Sequence, residues 1–275
     1  MKRFKLVSLL FGLMMAVALF LVFFNDSENG DFMVATADSS GLSMKTVSKQ
    51  RGMVNVFEVE GEVPVWIPGG LGWYRSDKLL SILEQEKKTD LLADVFFYNF
   101  GFVPNVVTKG DTVWWRDRSV ISKLGLINYL KYVFNHFGLM TKQELVTKTL
   151  IEDDEKLGKL IQRDLSNSLV LREDLRLNVY NVSQGNGLGS FMSGRLEGAG
   201  LTVIGIDSAE KVIDDPCLFV SSKSGDNWYG VKLAKTVLPF CGQAVDELLG
   251  ANEVEIYFGD GFSKMINYES YLEKK

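Results

Sequence analysis

The sequence predicts an α/β domain at the carboxyl end of a chain that is α+β overall and begins with a transmembrane helix. Three observations predict it. An uncharged apolar run, Leu6 to Phe24, follows the basic residues Lys2, Arg3 and Lys5. A middle region, residues 49–172, mixes helix-period and strand-period apolar patterns. The remainder, residues 173–266, orders its signals as β-α-β-β-α-β.

The apolar run spans about 19 residues, which at about 1.5 Å each just covers a hydrocarbon core of roughly 30 Å. Only a helix satisfies its own backbone groups over that depth. Basic residues before the run keep the amino end in the cytoplasm and direct the rest outward. Residues 1–25 are therefore expected to be a flank and anchor, with the bilayer as partner through residues 6–24. The protein is then a single-pass membrane protein with its bulk outside the cytoplasm. A cleaved secretory signal is the alternative, since Ala35-Thr36-Ala37 has a small-x-small pattern. Residues 26–48 are rich in Ser, Asp, Gly and Thr and read as a flexible stalk.

Composition narrows the function classes. The formal net charge is −5, and setting aside Lys2, Arg3 and Lys5 leaves 27 basic against 35 acidic residues. Nucleic-acid binders gather positive charge, so nucleic acid is not expected as a partner. His136 is the single histidine and Cys217 and Cys241 are the two cysteines, so no zinc-ligand spacing is recognisable. No metal site and no cofactor are expected from the residues. His136, in an aromatic stretch, reads as a packed side chain rather than a catalytic base.

In the middle region, Met53 to Val59 alternates like a strand, and Val63 to Gly70 reads as extended chain followed by a turn. Ser76 or Asp77 is placed to cap a helix carrying Leu79, Leu80, Ile82 and Leu83. Val95 to Phe100 is expected to be a buried strand. Helices are expected from about Ser119 to Phe134 and from about Glu152 to Leu165, where apolar residues recur three or four apart. The acidic run Glu152 to Glu155 suits a helix amino terminus, where carboxylates complement the dipole.

The carboxyl region opens with a strand from Leu175 to Asn181 and a Gly-rich turn. A helix then carries Leu188, Phe191, Met192, Leu196 and Ala199 on one side, ended by Gly198 and Gly200. Strands follow at Leu201–Ile206 and Leu218–Val220, a helix from about Trp228 to Leu238, and a strand at Val254–Phe258. Each β-α-β piece implies parallel pairing with a right-handed crossover. Cys217 sits where the third strand begins, and Cys241 lies just past the helix that runs back along it. The two thiols should meet at one edge, within reach of a bridge whose Cα atoms lie about 5–6 Å apart. Two buried free cysteines are the alternative.

This unit resembles the LytR-type C-terminal domain of LytR/CpsA/Psr envelope proteins. The matching features are strand LNVYN, then SQGNGLGS, a helix ending LEGAG, strand LTVIGID, and the closing EVEIYFGDGF. Asn181, Gly187-Leu188-Gly189, Leu196, Gly200 and Gly259-Asp260 carry the spacing over about a third of the chain. The resemblance implies an exported cell-envelope protein. Catalytic members look like phosphotransferases that move glycopolymer from a polyprenyl-pyrophosphate carrier to the wall, using arginines for pyrophosphate and aspartates for Mg2+. The family's Asp-x-Arg and Ser-x-Pro-Arg-Asp segments are not found here, so no catalytic role is carried over, and residues 49–172 read as a reduced relative of that core.

Two surfaces are singled out as candidate ligand sites. Trp73, Tyr74, Arg75 and Asp77, with Arg116 and Arg118, combine rings that stack on sugars with guanidinium groups that pair with phosphate. A packed aromatic beside an Arg–Asp pair is the structural alternative. Gly185, Asn186 and Gly187 open a helix after a strand, with Asp207 about 20 residues on, as in a dinucleotide fingerprint. Yet the pattern is GxGxG, and a tight turn needing positive φ explains it as well. The expected function is binding of wall glycopolymer or an envelope partner; the alternative is a divergent phosphotransferase with Mg2+.

Overall fold

The computed structural model describes residues 31–48, 53–109, 141–146, 159–163, 165–166, 168–210, 213, 215–223, 225 and 228–272. The run Leu6–Phe24, the helix expected from Ser119 to Phe134, the acidic run at Glu152, and Arg116, Arg118 and His136 lie outside the described residues. Among the described residues no helix is long and apolar enough to cross a membrane.

The first sheet joins β1 (Phe32–Asp38), β2 (Gly41–Ser48), β3 (Met53–Glu60), β6 (Val106–Lys109) and β7 (Thr141–Val146) in the order β6-β1-β2-β3-β7. This corrects the stalk expected over residues 26–48, which holds two core strands. The stalk reading rested on the segment's Ser, Asp, Gly and Thr, but within FMVATAD alternation buries Met33, Ala35 and Ala37 on one face. Asp38 closes the β1–β2 hairpin: its Oδ1 accepts from Ser40 N at 2.7 Å and Gly41 N at 3.2 Å. Gly41 has φ +140°, and a Cβ there would collide with the Val59 carbonyl.

A small antiparallel hairpin follows, β4 (Pro64–Ile67) with β5 (Gly72–Arg75). A 3-10 turn, Ser76–Lys78, leads into α1 (Leu79–Gln85). Ser76 does not cap it; its hydroxyl donates to the Glu60 carbonyl at 2.5 Å and ties the helix start to β3.

The strand expected at Val95–Phe100 is instead α2 (Leu92–Phe100), ended by Gly101 in the left-handed region at φ +69°. Its sequence hides the helical period because two cores claim it. Val95, Phe96 and Phe100 pack under the first sheet, while Phe97 and Tyr98 join the carboxyl-terminal core. A helix buried on both sides reads as an unbroken apolar run. Of the helix expected from Glu152 to Leu165, residues 159–163 are helical.

After α3 (Ser168–Arg172), the second sheet has order β11-β10-β12-β8-β9. Its strands are β8 (Arg176–Asn181), β9 (Thr202–Ser208), β10 (Cys217–Ser221), β11 (Gly242–Val245) and β12 (Glu253–Phe258). The helices α4 (Leu188–Gly198) and α5 (Tyr229–Val237) supply Leu188, Met192, Leu196, Val231 and Ala234 to one core with Leu177, Val179, Phe219 and Ile256. The first β-α-β unit pairs in parallel as expected. The second differs: α5 crosses from β10 to the unforeseen β11, parallel to it, whereas β12 runs antiparallel to β10. Two further short helices, α6 (Asp260–Ile266) and α7 (Tyr268–Leu272), were also unforeseen.

Cys217 and Cys241 form a disulfide with Cα atoms 4.6 Å apart, where β10 begins and just before β11. Both cysteines are buried. The helix returning along its strand brings them together, as the β-α-β geometry requires.

Candidate functional site

Of the residues singled out from the sequence, Trp73, Tyr74, Arg75, Asp77, Gly185, Asn186 and Gly187 are described, and Arg116 and Arg118 are not. Trp73 is turned inward: its Nε1 donates to the Ser270 carbonyl at 3.0 Å and its ring stacks on Tyr271 at 5.5 Å. Tyr74 packs against the first core. Arg75 is exposed and forms a bidentate pair with Asp77, with Nε to Oδ1 at 3.2 Å and Nη2 to Oδ2 at 2.8 Å. That hydrogen-bonded guanidinium holds the Asp77 carboxyl below the usual carboxylate range. The structural alternative therefore describes this segment: its rings and charges are engaged within the protein.

The glycine turn is also engaged. Gly187 is in the left-handed region at φ +83° and precedes α4, as a tight turn needs. The Asn181 amide donates to the Gly185 carbonyl at 2.8 Å, and Asp260 Oδ1 accepts the Gln184 amide at 2.7 Å. A carboxylate held at the turn opposes an incoming phosphate. Asn186 is exposed, and Asp207, which the fingerprint would send to a ribose, stands opposite Tyr180 in the β8–β9 ladder.

Buried rings and side-chain hydrogen bonds gather at the seam between the two sheet units. Trp66 of β4 is fully buried and donates through Nε1 to Ser270 Oγ at 3.0 Å. Its ring meets Tyr98, Phe191 and Tyr271 edge-on, with centroids 6.0, 6.2 and 5.5 Å away. Asn99 locks this strand to α2: its Oδ1 accepts the Trp66 amide at 2.9 Å and its Nδ2 donates to the Trp66 carbonyl at 2.7 Å. The carboxyl-terminal helices close the seam, with the Gly69 amide bonded to the Ile266 carbonyl at 3.3 Å.

Into this aromatic wall projects Arg195, in the last turn of α4 and 5% exposed. Nη2 donates to the Tyr271 hydroxyl at 3.1 Å, and the guanidinium lies 5.0 Å from the Phe191 ring centroid. Its Nε is buried and has no hydrogen-bond partner. Burial depresses the pKa, and the nearby Tyr271 hydroxyl opposes that. A guanidinium nonetheless keeps its charge in a protein. No carboxylate among the described residues offsets it.

Sequence reasoning passed over Arg195. The available signal was its place on the apolar stripe of α4, between Met192 and Leu196 and one turn after Phe191. A charged residue on a buried stripe marks either a pairing partner or a site. Trp66 and Tyr271 gave no comparable signal, because they lie 205 residues apart in sequence.

The other face of the second sheet carries a smaller cluster. Tyr180 and Tyr257 are paired across β8 and β12 and stack at 4.6 Å. The Tyr257 hydroxyl donates to Glu255 Oε2 at 2.6 Å. Burial, then the adjacent Glu255 carboxylate, raises the pKa of both phenols, so they remain proton donors. Among the described residues there is no group of three or more His, Cys, Asp or Glu side chains that could hold a metal ion.

No family model and no curated protein matches the chain. Two solved structures show a distant likeness. A LytR-CPS2A-psr family protein, YwtF (TagT), with bound octaprenyl pyrophosphate lipid is 13% identical, covers 78% of this chain and 92% of its own, and has a TM-score of 0.25. B. subtilis TagT is 14% identical over the same shares, with a TM-score of 0.26. Similarity this low carries no argument about fold or activity.

Proposed function

We propose that this is a membrane-anchored, extracytoplasmic cell-envelope protein whose carboxyl-terminal α/β unit binds wall glycopolymer or an envelope partner. The observation that carries this reading is the buried Cys217–Cys241 bridge, carboxyl-terminal to an apolar run with a basic flank. Disulfides persist in oxidising compartments and are rare in the cytoplasm. The basic flank before Leu6–Phe24 favours export of everything that follows. The family resemblance in LNVYN, SQGNGLGS and LTVIGID points to the same compartment. The acidic exported part suits a partner that is not strongly anionic.

Two measurements test it. Fractionation should recover the full chain with membranes, and a membrane-impermeant protease should digest its bulk from outside. The solubilised chain should then co-sediment saturably with purified wall glycopolymer. Recovery of a freely dissolved cytoplasmic protein would overturn the localisation, and co-sedimentation that never saturates would overturn the binding.

A further inference from the structure

We infer that the seam between the two sheet units is an oxyanion-binding site, in which Arg195 pairs with a phosphate or carboxylate group between Trp66, Trp73, Phe191 and Tyr271. An arginine buried to this degree ordinarily meets a carboxylate, because an unpaired buried charge costs several kcal/mol. Here the described partners are one phenol hydroxyl and one ring face. Neither carries a negative charge, and the buried Nε–H is directed at nothing that accepts it. The burial-depressed pKa reports the same deficit. An oxyanion supplies what is missing: a negative charge and acceptor oxygens for a planar fork of donors.

The setting suits such a ligand. Aromatic walls lower the local dielectric and strengthen a charge pair. The Tyr271 hydroxyl is already turned toward the guanidinium as a hydrogen-bond partner. Arg195 retains 5% exposure, so its burial is not complete. The proposed site uses Arg195, Trp66, Trp73, Phe191 and Tyr271 and none of Gly185, Asn186, Gly187 or Asp260. It stands apart from the envelope reading, since a bound anion stabilises the seam in any compartment.

The test uses the full chain in detergent, titrated with inorganic phosphate, pyrophosphate or acetate at constant ionic strength set by chloride. Tryptophan emission and the thermal midpoint are read together, because Trp66 and Trp73 line the seam. A saturable emission change and a midpoint rise of about 5 °C are expected for one of these ions near a hundredfold excess over its Kd. Phosphate-selective or acetate-selective saturation identifies which oxyanion the site takes. Arg195→Met should fold and lose the response, while Arg195→Lys should keep a weaker one. No saturable response in the wild-type chain overturns the inference, as does an equal response in Arg195→Met or one that tracks ionic strength alone. Should Arg195→Met fail to fold, the wild-type titration decides by itself.

Discussion

Gly101 and Gly198 meet backbone to backbone where α2 crosses α4. A Cβ placed on Gly198 would lie 2.9 Å from the Phe100 carbonyl oxygen and 3.0 Å from the Gly101 Cα. One placed on Gly101 would lie 2.6 Å from the Arg195 carbonyl oxygen, at a backbone φ of +69°. This contact sets how closely the two units approach, and therefore how deeply Arg195 is buried.

Gly198→Ala should accordingly destabilise the protein by about 1–3 kcal/mol, the usual cost of overpacking a tight contact. Gly194 is the internal control. It lies in the same helix with nothing within 4 Å of an added Cβ. Gly194→Ala should stabilise by about 0.5–1 kcal/mol through helix propensity alone. Thermal denaturation of both variants checks the pair; equal midpoints would mean that the two helices do not touch as described.

The disulfide closes a loop with a sequence separation of 24. In the chain-entropy model such a loop contributes about 3 kcal/mol. Cys217→Ala with Cys241→Ala should lower the unfolding free energy by that amount and steepen its denaturant dependence, because the unfolded chain loses its constraint. Thiol titration of the unfolded, unreduced wild-type chain should find no free sulfhydryl, and two would refute the bridge.

The carboxyl-terminal unit was legible because Gly200 and Gly259 bound two of its strands and buried positions alternate in β8, as in Leu177 and Val179. The bridge followed from that order of elements. β11 was not legible, since GQAV is four residues long and carries one strong apolar side chain. The β1–β2 hairpin was lost to composition: Ser and Thr weighed against a strand, though alanines buried in alternation marked one. The surroundings of Trp73 and Arg75 were not legible for a physical reason of another kind. Trp73 and Arg75 have the chemistry of a binding surface, but long-range packing against Tyr271 and a local pair with Asp77 absorb it. Nothing within a window of neighbours announces a contact from residue 73 to residue 271.

Alkaline pH should weaken the fold through its buried phenols. Tyr98 is 3% exposed, and burial, reinforced by Asp94, pushes its pKa up; Tyr257 is shifted upward by burial and by Glu255. A folded-state pKa above the unfolded value of about 10 means that the native state holds the proton more tightly. The stability these groups contribute is fully present below about pH 10 and is lost as pH rises through their folded values. Absorbance at 295 nm should show tyrosinate formation delayed in the native protein relative to the denatured one. Tyr98→Phe should remove part of the delayed step; an unchanged profile would show that Tyr98 ionises freely.

Ser270 and Tyr271 carry the closing load on the seam. Ser270 offers its hydroxyl to the Trp66 indole and its carbonyl to the Trp73 indole, both at 3.0 Å. Tyr271 is 4% exposed and sits between the two indoles, edge-on to one and stacked on the other. Ser270→Ala leaves the buried Trp66 N–H without its partner and should cost about 1–3 kcal/mol. Tyr271→Ala removes a buried ring and opens a cavity, with an expected loss of about 3–5 kcal/mol. It also strips Arg195 of its only described hydrogen-bond partner, so the two losses should not simply add with Arg195→Met. Chemical denaturation followed by tryptophan emission measures all three variants and the double mutant. If α7 were docked loosely, Tyr271→Ala would cost less than about 1 kcal/mol and leave the emission maximum unmoved.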